Sequence, residues 1–169
     1  FFVKQKRAYE MLRSLVGSEM CIRDSETEEH SSRMRFLAVE LAHTLGLSDN
    51  SVDDLSLLCA LHDIGKVGIP DQILQKSGPL SPEEWKVMRT HPEIGARIVE
   101  GSAELSHVAN AILSHHERWD GRGYPRELEG VEIPLAARMP AVVDAYDAMV
   151  NDMPDRRALP PAEAREETQ

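Results

Sequence analysis

The sequence predicts an all-α bundle. Apolar residues recur at intervals of three and four positions between segments rich in glycine and proline, which is the spacing of a helix face. No run alternates apolar and polar residues as a half-buried strand would, and no segment is repeated. A chain of 169 residues is long enough for one domain with a hydrophobic core, so we expect a single domain with one site.

The first helix is predicted from residue 26 to the glycine at position 46. Four apolar side chains repeat there at helical spacing: Met34, Leu37, Leu41 and Leu45. Gly46 then offers a stop, because glycine readily adopts the left-handed conformation that often follows a helix. A second helix is predicted to begin at Ser48 or Asn50 and to end at His62.

The middle of the chain combines a loop with a strong helix start. Glycine and proline within residues 67–79 predict the loop. Ser81 then stands as an N-cap, Pro82 at the first helical position and Glu84 at the position that closes a capping box. A polar, glycine-rich loop is predicted at residues 117–133. Further helices are predicted at residues 92–100, 104–116 and 134–150.

Residues 1–25 differ in character from the rest of the chain. The segment from Leu15 to Ser25 resembles the translation of a transposon-end adapter used to prepare DNA sequencing libraries. We interpret residues 1–25 as an adapter-like or misjoined lead-in outside the domain, with an ordinary amphipathic helix as the alternative. The domain is therefore predicted to span residues 26–169.

Composition and charge exclude several classes of protein. The formal net charge is −10, and the chain lacks the clustered lysine and arginine with which a general DNA- or RNA-binding protein holds phosphates. Cys21 and Cys59 lie too far apart for a CxxC motif or a disulfide framework, which favours a reducing, cytoplasmic location. No stretch approaches the roughly 20 apolar residues that span a bilayer, so we expect no membrane segment.

The histidines form the most informative pattern. Five of the seven lie beside predicted helix ends or carboxylates: His30, His62, His91, His115 and His116. Glu26 precedes His30 by four residues, so the two share a face of a helix. Bundles build polynuclear metal sites from such side chains, and imidazole with carboxylate suits iron, manganese, nickel or zinc, whereas structural zinc would favour thiolates. His43 and His107 are interpreted as surface histidines.

Two motifs are specific in combination. The first is His-Asp-Ile-Gly-Lys at residues 62–66, and the second is His-His-Glu-Arg-Trp-Asp-Gly-Arg-Gly-Tyr-Pro at residues 115–125. A chain with both motifs resembles the HD-GYP branch of the HD phosphohydrolases, over residues 26–160. The resemblance implies an HD-type helical bundle with a metal site in its core. It also implies hydrolysis of cyclic di-GMP, a bacterial second messenger, to linear pGpG, GMP or both.

The resemblance further implies two or three divalent metal ions. Asp63 would bridge two of them, while Glu26 and His116 would complete a third site. Iron or manganese is the expected metal, with nickel or zinc as alternatives. The predicted ligands are Glu26, His30, His62, Asp63, His91, His115, His116 and Asp144.

Asp63 and Lys66 are the predicted catalytic residues. Bound divalent ions would activate water and reverse the local sign of the electrostatic field for an anionic substrate, and Lys66 would donate to a substrate phosphate. For Tyr124, simple packing of a loop aromatic is the alternative interpretation. The residues predicted to contact substrate are Lys66, Gly123, Tyr124, Pro125 and Arg156.

The chain departs from the family pattern after Asp144. Family members usually continue to Asp-Arg-Pro-Tyr followed by Arg or Lys, whereas this chain has Met153 and Asp155 at the Arg and Tyr positions and keeps a basic residue at Arg156. Methionine cannot form the bidentate hydrogen bonds of a guanidinium, so we expect weakened substrate affinity. Because the family usually carries further helices, the domain is also expected to be truncated at its C-terminus.

Other interpretations stay open at this point. The chain is alternatively an HD phosphohydrolase for another cyclic dinucleotide or nucleotide, or a catalytically silent module that binds proteins. The filled ligand positions favour an enzyme, and the Gly-Tyr-Pro loop favours a cyclic dinucleotide. The resemblance also implies regulation by a receiver or sensor domain, GGDEF-type partner proteins and a homodimer.

Overall fold

The computed structural model describes residues 24–151, 158–160 and 162–164. The all-α prediction is confirmed, because this part of the chain contains no strand beyond an antiparallel bridge between Asp120 and Glu129. The α-helices are α1 (Asp24–Thr44), α2 (Asp49–Leu61), α3 (Asp71–Leu74), α4 (Pro82–Met88), α5 (His91–Glu100), α6 (Ala109–Leu113) and α7 (Leu135–Val150). Short 3₁₀ helices lie at Ile64–Gly68, Ser106–Val108 and Gly130–Glu132.

Two further predictions concern the ends and the surroundings of the domain. The lead-in assigned to residues 1–25 lies outside the described residues except for its last two, which begin α1, so that assignment stays a prediction. Within the described ranges, no helix has both the length and the apolar composition needed to cross a bilayer.

The predicted helix starts are confirmed by their caps. The Ser48 side chain accepts a hydrogen bond from the Ser51 backbone at the start of α2. At α4 the capping box is complete, because the Ser81 hydroxyl accepts from the Glu84 N–H at 3.3 Å and the Glu84 carboxylate accepts from the Ser81 N–H at 2.6 Å. These side chains satisfy backbone donors that helix starts leave without intrahelical partners.

Three predicted features differ in the structure. The segment 104–116 is not one helix, because the Ser114 hydroxyl donates to the Asn110 carbonyl and the Ser114 N–H turns to Ala111 instead, which ends α6 early. Leu45 lies beyond the end of α1 and is 58 % exposed, so it does not continue the apolar face of the helix. The predicted loop 67–79 contains α3.

Two clusters of buried apolar side chains form the core, and α2 contributes to both. The first joins α1, α2 and α7 through Met34, Ala38, Ala42, Val52, Leu55, Cys59, Met139 and Val143. The second joins α2 to α5, α6 and the adjoining 3₁₀ turn through Leu57, Leu58, Leu61, Val99, Leu105, Val108, Ala109, Ala111 and Ile112. Burial of each such leucine contributes about 2 kcal/mol. The last turn of this central helix leads directly into His62 and Asp63.

A close backbone crossing fixes the segment that follows α2. A Cβ atom on Gly65 would lie 1.8 Å from the carbonyl oxygen of His91 and 2.5 Å from the backbone nitrogen of Gly95. Glycine alone fits this approach between the 3₁₀ helix and α5. The crossing holds Asp63 and Lys66 against the first turn of α5.

Candidate metal centre

Three buried histidines are oriented by the backbone in the same way. Each ring lies at a helix boundary, and its Nδ1 atom contacts a carbonyl oxygen three residues earlier. A carbonyl oxygen accepts but cannot donate, so each Nδ1 carries a proton, and a neutral ring then keeps its lone pair on Nε2. The three bonds are His62 to Cys59 at 3.0 Å, His91 to Met88 at 2.8 Å and His115 to Ile112 at 2.6 Å.

The Nε2 atoms of these rings converge on one carboxylate, Asp63, which outweighs the effect of burial and raises the pKa of His62. Asp63 Oδ2 lies 3.4 Å from His62 Nε2, and Asp63 Oδ1 lies 3.5 Å from His91 Nε2. The ligand atoms of Asp63, His91, His115 and His116 all lie within 4.8 Å of one another. We call these four residues the ligand cluster.

The donor chemistry of the ligand cluster fits a bound cation. His91 Nε2 and His115 Nε2 are 3.2 Å apart, and since both rings donate through Nδ1, two lone pairs face each other across this distance. Such a contact is unfavourable unless a proton or a metal ion lies between the atoms. Imidazole nitrogen with one carboxylate is a ligand set for first-row transition metals.

Electrostatics keep the ligand cluster in its metal-binding protonation state. Burial lowers the pKa of His91, lowers that of His115 well below its usual range, and lowers that of His116 to about 4. These rings are therefore neutral near pH 7. Burial opposes the charge on Asp63, but His62 and Lys66 outweigh it and hold the pKa of Asp63 well below its usual range. The carboxylate is ionised.

A second group lies beside the ligand cluster, where α1 meets α7. His30 Nε2 lies 3.1 Å from Asp144 Oδ1, and the ring of His30 is 6.3 Å from that of His62. His30 Nδ1 contacts Asp147 Oδ2 at 2.8 Å, and Arg33 donates to both oxygens of Asp147 at 2.9 and 3.1 Å. The hydrogen bond with Asp144 raises the pKa of His30, against the opposing effect of burial.

A pocket of about 610 Å³ opens next to both groups. His115, His116 and Asp144 lie on one side of it. Its other lining residues include three arginines and a tyrosine, namely Arg89, Arg118, Arg122 and Tyr124. The volume falls within the range of small-molecule sites.

The loop that carries Tyr124 is anchored to the histidine pair. The Tyr124 ring stacks on His116 at 4.8 Å between centroids, and the Tyr124 N–H donates to the His116 carbonyl at 3.2 Å. A Cβ atom on Gly123 would lie 2.3 Å from the Arg118 backbone nitrogen. The Tyr124–Pro125 peptide bond is cis. Tyr124 thus both packs on a ligand histidine and lines the pocket.

Comparison with known proteins identifies the family. A family model described as an HD domain matches residues 15–169. The chain belongs to the HD domain family. The resemblance to the HD-GYP branch is also confirmed, since curated relatives and a solved structure of that type match the chain.

Two curated relatives and one solved structure illustrate the match of this HD domain. A cyclic di-GMP phosphodiesterase from Thermotoga maritima is 45% identical over 144 residues, covering 84% of this chain and 39% of its own length. A 3'3'-cGAMP-specific phosphodiesterase from Vibrio cholerae is 43% identical over 129 residues, covering 75% of this chain and 25% of its own length. The solved structure of an HDG"Y"P protein from Bdellovibrio bacteriovorus shares the fold, with a TM-score of 0.66 at 23% identity. The match covers 96% of this chain and 55% of that protein. The HD domain thus spans less than half of these curated relatives.

The HD domain brings most of the predicted ligands together in two adjacent groups. The ligand cluster holds four of them, His62 contacts it through Asp63, and His30 pairs with Asp144. Glu26 lies in α1, but its side chain lies outside the described part, as do Met153, Asp155 and Arg156. Lys66 Nζ donates to Asp63 Oδ2 at 2.7 Å, so its contact with a substrate phosphate stays a prediction.

Sequence reasoning missed several residues that shape this HD domain site. Asp147 lies three positions after Asp144, on the same face of α7, which is a signal that could have identified it. Glu117 is buried and accepts the N–H groups of Arg126 at 2.7 Å and Leu128 at 3.0 Å. Arg118 and Arg122 lie within the motif at residues 115–125, but nothing in the sequence relates them to Arg89, which lines the same pocket from the end of α4.

Proposed function

We propose that this HD domain hydrolyses the phosphodiester bonds of cyclic di-GMP to linear pGpG, GMP or both. The observation that carries the proposal is the convergence of the ligand cluster, in which neutral imidazoles present Nε2 lone pairs around the ionised carboxylate of Asp63. Relatives named as cyclic di-GMP phosphodiesterases support it, among them one from Xanthomonas campestris that is 41% identical over 138 residues.

The proposed cofactor is a set of two or three divalent metal ions, with iron or manganese expected and nickel or zinc as alternatives. His91 and His115 would hold one ion and His30, His62 and Asp144 another, with Asp63 shared between the two, while Glu26 and His116 would complete a third site. When bound, such ions supply Lewis acidity that activates water and polarises a phosphoryl oxygen. Part of the donor set is already ordered, because backbone carbonyls hold three of the rings in place.

The protein side chains then position the substrate. Lys66 has three ammonium hydrogens and uses one on Asp63, so two remain for non-bridging phosphoryl oxygens, where charge develops in the transition state. Tyr124 lines the pocket and covers one face of the His116 ring by stacking on it. Asp63 would be the least replaceable residue, since it contacts two histidines and Lys66 at once.

A second candidate substrate is a mixed cyclic dinucleotide. Three Vibrio cholerae relatives named as 3'3'-cGAMP-specific phosphodiesterases match this chain at 43%, 35% and 32% identity. The same cleavage chemistry applies to both substrates, because the phosphodiester linkages are alike and one base differs. Location in the cytoplasm is a further proposal from the cysteine pattern, and regulation by receiver, sensor or GGDEF-type partners or through a homodimer is a further proposal from the resemblance.

Turnover of cyclic di-GMP and 3'3'-cGAMP, with products separated by chromatography, tests the proposal. The protein is purified anaerobically with manganese or ferrous iron, and Asp63→Asn serves as an isosteric control. We expect metal-dependent hydrolysis of cyclic di-GMP that the Asp63→Asn variant lacks. Preference for 3'3'-cGAMP would replace the first substrate by the second. A protein that binds no metal and hydrolyses neither would be a silent module instead.

A further inference from the structure

The pocket beside the ligand cluster concentrates positive charge in an acidic protein. The chain carries a formal net charge of −10, yet three arginines, Arg89, Arg118 and Arg122, line this one pocket beside two carboxylates, Glu117 and Asp144. Arg89 caps α4, and the other two lie in the loop after α6. Positive charge focused in a cleft of an acidic protein favours an anionic ligand there.

Two of the three arginines are available to such a ligand. Arg118 donates to both oxygens of Asp120, at 3.0 and 2.7 Å, so its guanidinium is occupied. Within the described residues, the guanidinium of Arg122 makes no hydrogen bond or ion pair, and that of Arg89 makes only a cation–π contact with the Tyr124 ring, at 5.3 Å. A guanidinium provides a planar fork of donors that matches a phosphate.

The surrounding contacts fix where these arginines lie. The Asp120 side chain accepts the Arg122 N–H at 3.1 Å. Glu117 holds the far side of the same loop through backbone N–H groups, and Tyr124 is stacked on His116. Arg89 therefore lies one aromatic ring beyond a ligand histidine. Such anchoring reduces the ordering cost of binding.

We propose that Arg89 and Arg122 form a second phosphate subsite, which binds the phosphodiester group that is not being hydrolysed. This inference rests on the proposed function, since a cyclic dinucleotide has two phosphodiester groups and the ligand cluster would act on one of them. The other group enters the same pocket and needs its own positive partner. Arg118 stays with Asp120 and maintains the loop.

Kinetics on two substrates separate this subsite from the metal centre. Cyclic di-GMP carries two phosphodiester groups, whereas bis(p-nitrophenyl) phosphate carries one and reaches the metal centre alone. Arg89→Met, Arg122→Met and the double variant are compared with the wild type. The matched control is Arg97→Met, which removes one positive charge from an exposed side chain of α5 whose carboxylate neighbour, Glu93, is 3.9 Å away.

We expect the KM for cyclic di-GMP to rise about 10-fold in each single variant and about 100-fold in the double variant. These values lie at the lower end of the range for loss of a charge-assisted hydrogen bond, because both side chains are exposed. Hydrolysis of bis(p-nitrophenyl) phosphate should change less than about twofold, since it does not reach the subsite. An equal loss on both substrates would overturn the inference, because the arginines would then act on the metal centre.

The remaining outcomes distinguish the subsite from the proposed function. If the wild type hydrolyses cyclic di-GMP and the pocket variants match Arg97→Met, the subsite is wrong and the function stands. If the wild type does not hydrolyse cyclic di-GMP, the function fails, and equilibrium binding of pGpG decides on the subsite. Weaker pGpG binding by the Arg89 and Arg122 variants supports it, whereas equal binding, or no binding by the wild type, overturns it.

Discussion

The histidines of this site are oriented by two different means. His62, His91 and His115 each donate to a backbone carbonyl three residues earlier, so the ends of the helices set their rings. His30 instead contacts the side chain of Asp147, which Arg33 and Asn151 hold in turn. The first means depends on backbone packing and the second on one buried carboxylate. Different substitutions should therefore disrupt the two halves of the site.

The largest effect on stability and metal binding is expected from a substitution that moves the backbone beside the carbonyl-oriented histidines. Gly65→Ala places a methyl group 1.8 Å from the His91 carbonyl oxygen, so the 3₁₀ helix and α5 must separate. Overpacking of this kind costs about 1–3 kcal/mol, or on the order of 2–12 °C in Tm for a domain of this size. Because Asp63 and His91 lie on the two sides of this contact, metal binding should weaken as well.

Gly78→Ala is the control for that substitution. A Cβ atom at Gly78 would meet no atom within 4 Å, so its Tm should stay close to that of the wild type. Thermal unfolding of the metal-free proteins, followed by a manganese titration, measures both effects. If Gly65→Ala melts like Gly78→Ala and binds manganese normally, the crossing does not position the ligands.

A smaller effect on metal binding is expected at His30, whose ring is oriented by the side chain of Asp147. Asp147→Asn keeps the shape but loses the charge that holds the His30 ring and pairs with Arg33. Outer carboxylates of this type typically contribute about 10- to 100-fold in metal affinity. A manganese titration of metal-free protein should show that loss, with Glu40→Gln on the exposed face of α1 as the charge-matched control. Unchanged affinity in Asp147→Asn would mean that the carboxylate serves stability alone.

Two histidines of the site, His116 and His30, predict opposite responses to pH in metal-free protein. Burial lowers the pKa of His116 to about 4, so below pH 6.5 the unfolded state binds more protons and stability falls as pH drops through that window. His30 has a raised pKa, chiefly through Asp144, so its contribution is complete below pH 6.5 and is lost as pH rises through the folded value.

His116→Gln should therefore flatten the acid side of the profile. We expect the loss of unfolding free energy between pH 7 and pH 5 to shrink by about 1–2 kcal/mol, because glutamine does not titrate. Urea unfolding in the presence of a chelator measures this difference. An acid loss as steep in His116→Gln as in the wild type would show that other groups dominate.

Helix features that depend on residues close together in the sequence could be predicted from it. The capping box at Ser81 and Glu84 follows from residue types at fixed offsets, and the structure forms both of its hydrogen bonds. The end of α6 could not be predicted from apolar spacing, because the Ser114 hydroxyl competes for a carbonyl that the helix would use. Leu45 fitted the apolar pattern, yet α1 ends one residue before it.

In the candidate site, too, local patterns could be predicted from the sequence, whereas tertiary packing could not. Histidines beside carboxylates and helix ends were visible as a set, and the structure gathers His91, His115, His116 and Asp63. The grouping of the pocket arginines was not visible, because Arg89 and Arg122 are 33 positions apart and only tertiary packing places both at one pocket. Spacing reports neighbours along one helix, whereas a pocket is assembled from several elements.

The anchoring of the loop after α6 bears on how this fold can change its substrate. The Glu117 carboxylate anchors that loop by accepting hydrogen bonds from the backbone N–H groups of Arg126 and Leu128. Any residue except proline can supply such an N–H group. Loop side chains can therefore be exchanged while the wall of the pocket keeps its course. Under the proposed function, such a scaffold would leave the cleavage site on the helices while substitutions in the loop change which dinucleotide is bound.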